Sequence, residues 1–154
     1  MSRTPRPKAD NRKVLTEYSP AMKKLLQRQS YNAGARPSQH HIGRTSFLAD
    51  HGGAIPPNVL TISNTISTDE YRRYCKDANL QMHPARMPPE LADFFIRFLT
   101  DESDLVLDPF AGSNTTGAVA EQLHRQWIGI EPKDDYIAGS IGRFDETGVE
   151  TISV

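Results

Sequence analysis

Cysteine is nearly absent: Cys75 is the only one in 154 residues. A single thiol excludes an internal disulfide and any cysteine-based zinc site. Missing too is an apolar run of about 20 residues, the length that spans a bilayer as a helix. The first residues, MSRTPRPKAD, are basic and polar and carry no apolar stretch of the secretory kind. A cytoplasmic location with no membrane partner is therefore expected. Neither phosphate-binding glycine signature is complete. GxGxxG does not occur, and although Gly112 and Gly117 have P-loop spacing, Ala118 stands where the lysine is required.

What is present fits one domain with a core of moderate size, since 37% of the residues are hydrophobic and 24% are charged. The net charge of −1 hides an asymmetry. Residues 1–50 hold ten Lys/Arg against three Asp/Glu, whereas residues 101–154 hold three against eleven. A chain with one basic end and one acidic end is suited to meeting a polyanion with the basic end only.

The most informative stretch runs from Asp104 to Glu131, DLVLDPFAGSNTTGAVAEQLHRQWIGIE. A short apolar run, Leu105 to Leu107, ends on Asp108-Pro109, and a small-residue loop follows from Phe110 to Asn114. Helical character then extends from Thr115 to Arg125, and a second apolar run, Trp127 to Ile130, ends on Glu131. Strand, glycine loop, helix and a second strand tipped by an acid form the first half of a nucleotide-binding α/β sheet. The terminal carboxylate can accept hydrogen bonds from ribose hydroxyls. Gly112 removes a Cβ where backbone must approach a ligand, and Gly117 is expected to ease helix packing on the sheet. Asp108, directly before the loop, is an unfavourable neighbour for phosphate. It suits a ligand with a cationic or neutral centre, such as the amino-acid end of S-adenosylmethionine.

DPFAGSNTTG followed by WIGIE resembles the cofactor-binding motifs of the DNA amino-methyltransferases, and GSNTT is most similar to members acting on the cytosine 4-amino group. The likeness extends upstream through HPARMP (83–88), Asn64-Thr65 and GGAIPPN (52–58), from about Tyr18 to Phe144, in the motif order of the beta group. The family's first motif commonly has Gly where this chain has Asn114, a mild change because Asn tolerates the left-handed conformation. The resemblance implies an α/β fold, Rossmann-like and S-adenosylmethionine-dependent, with S-adenosylmethionine as cofactor and double-stranded DNA as partner. It places Asp108, Pro109, Phe110, Gly112, Ser113, Asn114, Thr115 and Glu131 around the cofactor. His83 and Pro84 line its methionine end, His83 being either a hydrogen-bonding wall residue or a solvent-facing turn residue. Asp135 or Tyr136 borders the adenine or packs within a closing helix.

The rest of the chain divides into a flexible basic arm (1–17), the end of a target-recognition region with its linker (18–82), and the cofactor-binding half-domain (83–154). Ser19-Pro20 reads as a helix start, with Met22, Leu25 and Leu26 at helical spacing up to Gln29. Residues 31–50 are polar and broken by Gly and Pro. Lys23, Lys24, Arg28, Arg36 and Arg44 are candidates for phosphate contact, against a merely solvated basic face. Ser38, Gln39, His40 and His41 are candidates for base or phosphate contact, since Gln can read adenine edges. Adjacent His40 and His41 with no nearby acid or cysteine do not make a metal site, and no metal is expected. Val59 to Ile66 alternates weakly, and a third strand is expected around Val59 to Ile62. Ser67-Thr68-Asp69-Glu70 reads as the cap of a helix bearing Tyr71, Tyr74 and Cys75. Pro88-Pro89 opens a helix whose Leu91, Phe94, Phe95, Phe98 and Leu99 are expected to pack on the sheet.

One family element is not found. The catalytic tetrapeptide has the form [SDN]PP[YFW], with a polar residue to orient the amino group and an aromatic to stack on the flipped base. Around Pro56-Pro57 those places hold Ile55 and Asn58, so this is a structural turn and no catalytic residue is assigned. A partial sheet and a complementary catalytic half, either a separate subunit or a missing segment, are expected. The activity expected of the whole is site-specific DNA methylation, as in restriction–modification. Methylation of the adenine 6-amino group or a catalytically inactive remnant are the alternatives.

Overall fold

The computed structural model describes residues 8–63, 69–144 and 150–152. Contacts divide the chain into two compact units, Asp10–Asn58 and the chain from Val59 onward together with the residues before Asp10. The boundary near 58 differs from the sequence boundary at 82, because the helix bearing Tyr71 and Cys75 packs within the larger unit.

In the smaller unit, Asn11–Val14 forms a 3-10 turn capped by Asp10, whose side chain accepts the Arg12 N–H. Thr16 and Ala54 then exchange both backbone hydrogen bonds at 2.9 Å. The arm expected over 1–17 is thus ordered from Asp10 onward, held by pairing between distant segments that composition does not register; residues 1–7 lie outside the described ones. Helix α1, Pro20–Arg28, starts as expected, with Ser19 accepting the Met22 N–H and Pro20 in the first turn. Strands β1 (Gly34–Ala35) and β2 (His41–Ile42) pair antiparallel as a short hairpin. GGAIPPN is irregular, with bends at its two ends and the Thr16–Ala54 bridge within it, and its Ile55 is 67% exposed.

In the larger unit, α2 is Glu70–Asp77 and α3 is Pro89–Leu99. Strand β3 (Leu105–Asp108), helix α4 (Thr115–Gln122) and strand β4 (Gln126–Gly129) follow, and α5 is Asp134–Ser140. The strands β3 and β4 run parallel, with Val106 opposite Trp127 and Asp108 opposite Gly129. A parallel pair joined by a helix is the βαβ unit, whose crossover carries the chain back over one face. That face is covered: Val106 and Trp127 pack against a core of Ala92, Ile96, Val119, Ala120 and Leu123 from α3 and α4.

Three expectations are corrected here. Helix α4 stops at Gln122 rather than Arg125, because His124 turns left-handed (φ 59°) and its N–H bonds back to Glu121. On α3 the buried positions are Ala92 and Ile96, while Phe95 and Leu99 are exposed. Ala92 and Ile96 make the contact with the α4 side of the core, and Phe94 packs instead against Phe95 and Phe98 of its own helix. Residues 59–63 form no strand. Residues 64–68, which include Asn64-Thr65 and Ser67-Thr68, lie outside the described residues, but Asp69 does cap α2 by accepting the Arg72 N–H.

The other face of the parallel pair carries Leu105, Leu107, Ile128 and Ile130, each about half exposed. Parallel strands are ordinarily covered on both faces. Among the described residues no helix is long and apolar enough to cross a membrane.

Candidate cofactor site

The site is built where β3 and β4 end side by side. At the tip of β3 the Asp108 carboxylate accepts the Phe110 N–H at 3.0 Å and the Thr116 hydroxyl at 2.6 Å. One oxygen therefore shapes the turn into the loop, and the other ties it to the first turn of α4. At the tip of β4 the Glu131 carboxylate accepts the Gly112 N–H at 3.0 Å and the Lys133 N–H at 3.1 Å. Ala111 N–H donates to Ile130 carbonyl at 3.0 Å, drawing the loop along the end of β4.

The loop conformation follows from two left-handed residues. Gly112 has φ 53°, and a Cβ there would lie 3.0 Å from His83 Nε2. Backbone and imidazole approach each other as only glycine permits. Asn114 also has φ 53°, and its side chain caps α4 by accepting the Gly117 N–H at 3.1 Å. Asparagine in the family's glycine position thus supplies both the left-handed turn and the cap. Gly117 is required for a reason other than sheet packing: a Cβ there would collide with the Asn114 side chain. Ser113, Asn114 and Thr115 are buried, and the Ser113 and Thr115 hydroxyls are 3.3 Å apart.

His83 is half-buried, and its ring stands across from the Gly112 backbone. Its N–H donates to the Tyr71 hydroxyl at 2.8 Å, its Nδ1 bonds the Ala85 carbonyl, and its ring meets Tyr136 edge-on with centroids 4.6 Å apart. Tyr136 in turn lies under Lys133 Nζ, 4.4 Å from the ring centroid. Pro84 and Pro109 are exposed, and Phe110 is 87% exposed. A large apolar ring standing free at the rim of a polar loop is a surface for an apolar or aromatic part of a ligand. Of the cofactor candidates, Asp108, Phe110, Gly112 to Thr115, Glu131 and His83 are brought together around one loop.

Sequence reasoning missed a second layer. Arg143 donates from Nε to the Ser113 carbonyl at 2.6 Å and from Nη2 to the Ser113 hydroxyl at 3.2 Å. Arg86 donates to both Asp69 oxygens, at 3.0 and 2.9 Å. No spacing rule links Arg143 to a residue thirty positions earlier. Thr116 was missed as well, although a hydroxyl in the first turn after a terminal acid was a local signal that could have found it.

The nucleic-acid candidates belong to the smaller unit. Lys23 and Lys24 lie on α1, Lys23 paired with Glu17 at 3.2 Å. Ser38, Gln39 and His40 are exposed at the tip of the β1–β2 hairpin, where Gln39 turns left-handed (φ 62°) and its N–H donates to Arg36 carbonyl at 2.8 Å. His41 and Arg44 are exposed beyond it. Arg36 is folded back from the tip, donating to Asn32 carbonyl at 3.0 Å with its guanidinium 6.0 Å from the Tyr31 ring centroid.

Comparison with known proteins agrees with this geometry. A DNA methylase family model matches residues 6–141. The type II methyltransferase M.PvuII of Proteus hauseri is 49% identical over 150 residues, covering 96% of this chain and 44% of the relative. The DNA adenine methyltransferase YhdJ of Escherichia coli K12 is 44% identical over 73 residues, covering 47% of this chain and 24% of the relative. A solved PvuII DNA methyltransferase, described as cytosine-N4-specific, superimposes with a TM-score of 0.56 at 50% identity, over 62% of this chain and 34% of that one. The chain thus spans less than half the length of the relatives it matches. Fold, loop chemistry and the match over residues 6–141 converge: the chain belongs to the DNA methylase family, with a Rossmann-like methyltransferase fold of which it carries a partial sheet.

Proposed function

We propose that this chain is the cofactor-binding, C-terminal portion of a site-specific DNA methyltransferase acting on the exocyclic amino group of cytosine in duplex DNA, as in restriction–modification. The observation that carries the reading is the pair of carboxylates at the strand ends: Asp108 and Glu131 are both bonded to the Phe110–Asn114 loop, whose left-handed Gly112 passes close enough to His83 that a Cβ would lie 3.0 Å from its Nε2. This cradle fits S-adenosylmethionine. Asp108 provides negative charge for its amino-acid end, and Glu131 keeps acceptor capacity for ribose hydroxyls. His83 and Phe110 provide the walls. When bound, the cofactor supplies an electrophilic methyl group, and the residues of this chain hold and orient it.

The choice of cytosine rests on the likeness to the cytosine-N4-specific PvuII enzyme. A second reading, the adenine 6-amino group, is favoured by the likeness to YhdJ. A third, an inactive remnant that keeps the cofactor fold, is motivated by Ile55 and Asn58 around Pro56-Pro57, which can neither orient an amino group nor stack on a base. In our reading the orienting and stacking groups come from a complementary part. Its apolar surface would cover Leu105, Leu107, Ile128 and Ile130 and so complete the sheet on its open face. The low cysteine content accords with a cytoplasmic protein.

The test is tritiated methyl transfer to duplex DNA followed by nucleoside chromatography. The chain alone at saturating cofactor is expected to transfer none. Mixed with a polypeptide carrying an SPPY-type tetrapeptide from the same locus, it is expected to yield N4-methylcytosine. Methyladenine as product would overturn the base assignment, and activity of the isolated chain would overturn the need for a complement. Cofactor binding without transfer in any mixture would favour the remnant.

A further inference from the structure

Ser113 is the one loop residue lying between two left-handed neighbours, Gly112 and Asn114, both at φ 53°. Glycine and asparagine are the residues that adopt the left-handed conformation most readily, and what fixes the loop's place is the set of bonds on either side of it. Glu131 holds it from the β4 side through the Gly112 N–H. From the other side it is held by Arg143, whose guanidinium fork reaches the carbonyl and the hydroxyl of Ser113 together.

Arg143 is itself fixed from behind. Its side chain is only 12% exposed, it lies 3.9 Å from Asp69, and its guanidinium sits 4.7 Å from the Tyr71 ring centroid. The same Asp69 carboxylate takes both bonds from Arg86, in the segment that bears His83, and the Tyr71 hydroxyl accepts the His83 N–H. The start of α2 therefore anchors both walls of the site: the loop through Arg143, and the His83 segment through Arg86 and Tyr71. Burial pulls the Arg143 pKa below its ordinary value, opposed by the charge of Asp69, so burying this cation opposes its charged form. Removing it does not orphan Asp69, which keeps Arg86.

We propose that Arg143 is a positioning residue for the cofactor: by gripping Ser113 and backing onto Asp69, it holds the Gly112–Asn114 loop at a set distance from His83. This rests on the cofactor reading above. A lysine cannot replace it, because an ammonium lacks the planar fork that spans a carbonyl and a hydroxyl at once.

Two variants of the full chain test this, R143M and R143K. R143M keeps much of the volume without the fork, and R143K keeps the charge. S-Adenosylmethionine affinity is measured by calorimetry, thermal stability by circular dichroism, and amide hydrogen exchange across residues 110–116. Both variants are expected to bind about tenfold to a hundredfold more weakly, with faster exchange confined to the loop amides. Methylguanidinium added to a further variant, R143A, whose truncated side chain leaves room for it, is expected to restore part of the affinity without raising the melting temperature, a rescue that a purely structural role would not produce. Wild-type affinity in either folded variant overturns the proposal alone. If the wild-type chain takes up no S-adenosylmethionine, the proposal falls together with the cofactor reading.

Discussion

Glu131 Oε2 accepts the backbone N–H of Gly112 at 3.0 Å, so the acid at the end of β4 is bonded to the loop that leaves β3. The carboxylate does two things at once. It fixes the loop, and in the proposed site the lone pairs left on its oxygens are the acceptors for ribose hydroxyls. Glu131→Ala should therefore weaken S-adenosylmethionine binding by more than a lost ribose contact. Asp108→Ala removes the acceptor of the Phe110 N–H and the Thr116 hydroxyl, together with the charge proposed to face the amino-acid end of the cofactor. Each charge-assisted bond is worth about 1.5–3 kcal/mol, which sets the expected loss at roughly tenfold to a hundredfold per variant. Calorimetric titration reads it, and unchanged binding in both variants removes this site assignment.

Asn114 separates two effects that usually travel together. Its backbone is left-handed, and its side chain caps α4 through the Gly117 N–H. Asn114→Gly keeps the turn at no steric cost and loses only the cap, at a few tenths to about 1 kcal/mol. Asn114→Ala loses the cap and strains the turn, at about 1–2 kcal/mol. The expected order of stability in urea unfolding is wild type, then glycine, then alanine. Equal loss in both variants would show that the cap alone matters.

Acid should loosen the N-terminal attachment of the larger unit. The Asp101 N–H, and after it Lys8, hold the Asp104 carboxyl below the ordinary aspartate range, with Lys8 Nζ 2.7 Å from the carboxylate. A carboxyl with a lowered folded-state pKa stabilises fully above its unfolded value, about 4. That contribution is lost as pH falls through the lower folded value. Melting temperatures of wild type and Asp104→Asn should therefore differ at pH 6 and converge toward pH 2. A constant gap across that range would show that Asp104 is not the group responsible.

The strand–loop–helix–strand unit was readable from the chain because its signals are local. The apolar runs fix β3 and β4, the acids mark their ends, and Asn114 announces a left-handed turn. Helix α1 was readable for the same reason, with Ser19 and Pro20 adjacent to the turn they start. What escaped depends on contacts between distant positions. The Phe stripe of α3 looked like core until α4 took the place beside Ala92 and Ile96. The Arg143–Ser113 bond and the Asp69–Arg86 pair join segments that no periodicity connects. The Thr16–Ala54 pairing, likewise, orders a stretch whose composition alone implies an arm.

The basic smaller unit leads to the last prediction. Lys23 and Lys24 stand on α1 and Arg36 at the start of the loop that joins β1 to β2, but the three are not equally available. Lys23 shares its charge with Glu17, and Arg36 is engaged by Asn32 carbonyl and the Tyr31 ring. A cation that must leave a partner to reach a phosphate gains less from doing so than one that need not. Each phosphate contact contributes about 0.9 to the slope of log affinity against log salt on duplex DNA. Neutralising all three to glutamine should thus flatten the slope by roughly 1 to 2.7 units, with Lys24→Gln alone accounting for the largest single share. Cofactor affinity should stay nearly intact, because none of the three belongs to the loop at Gly112. Fluorescence anisotropy with labelled duplex at several salt concentrations gives the slope. If it does not move in the triple variant, this face is solvated rather than DNA-bound, and the exposed Ser38–His40 tip becomes the remaining candidate for contact.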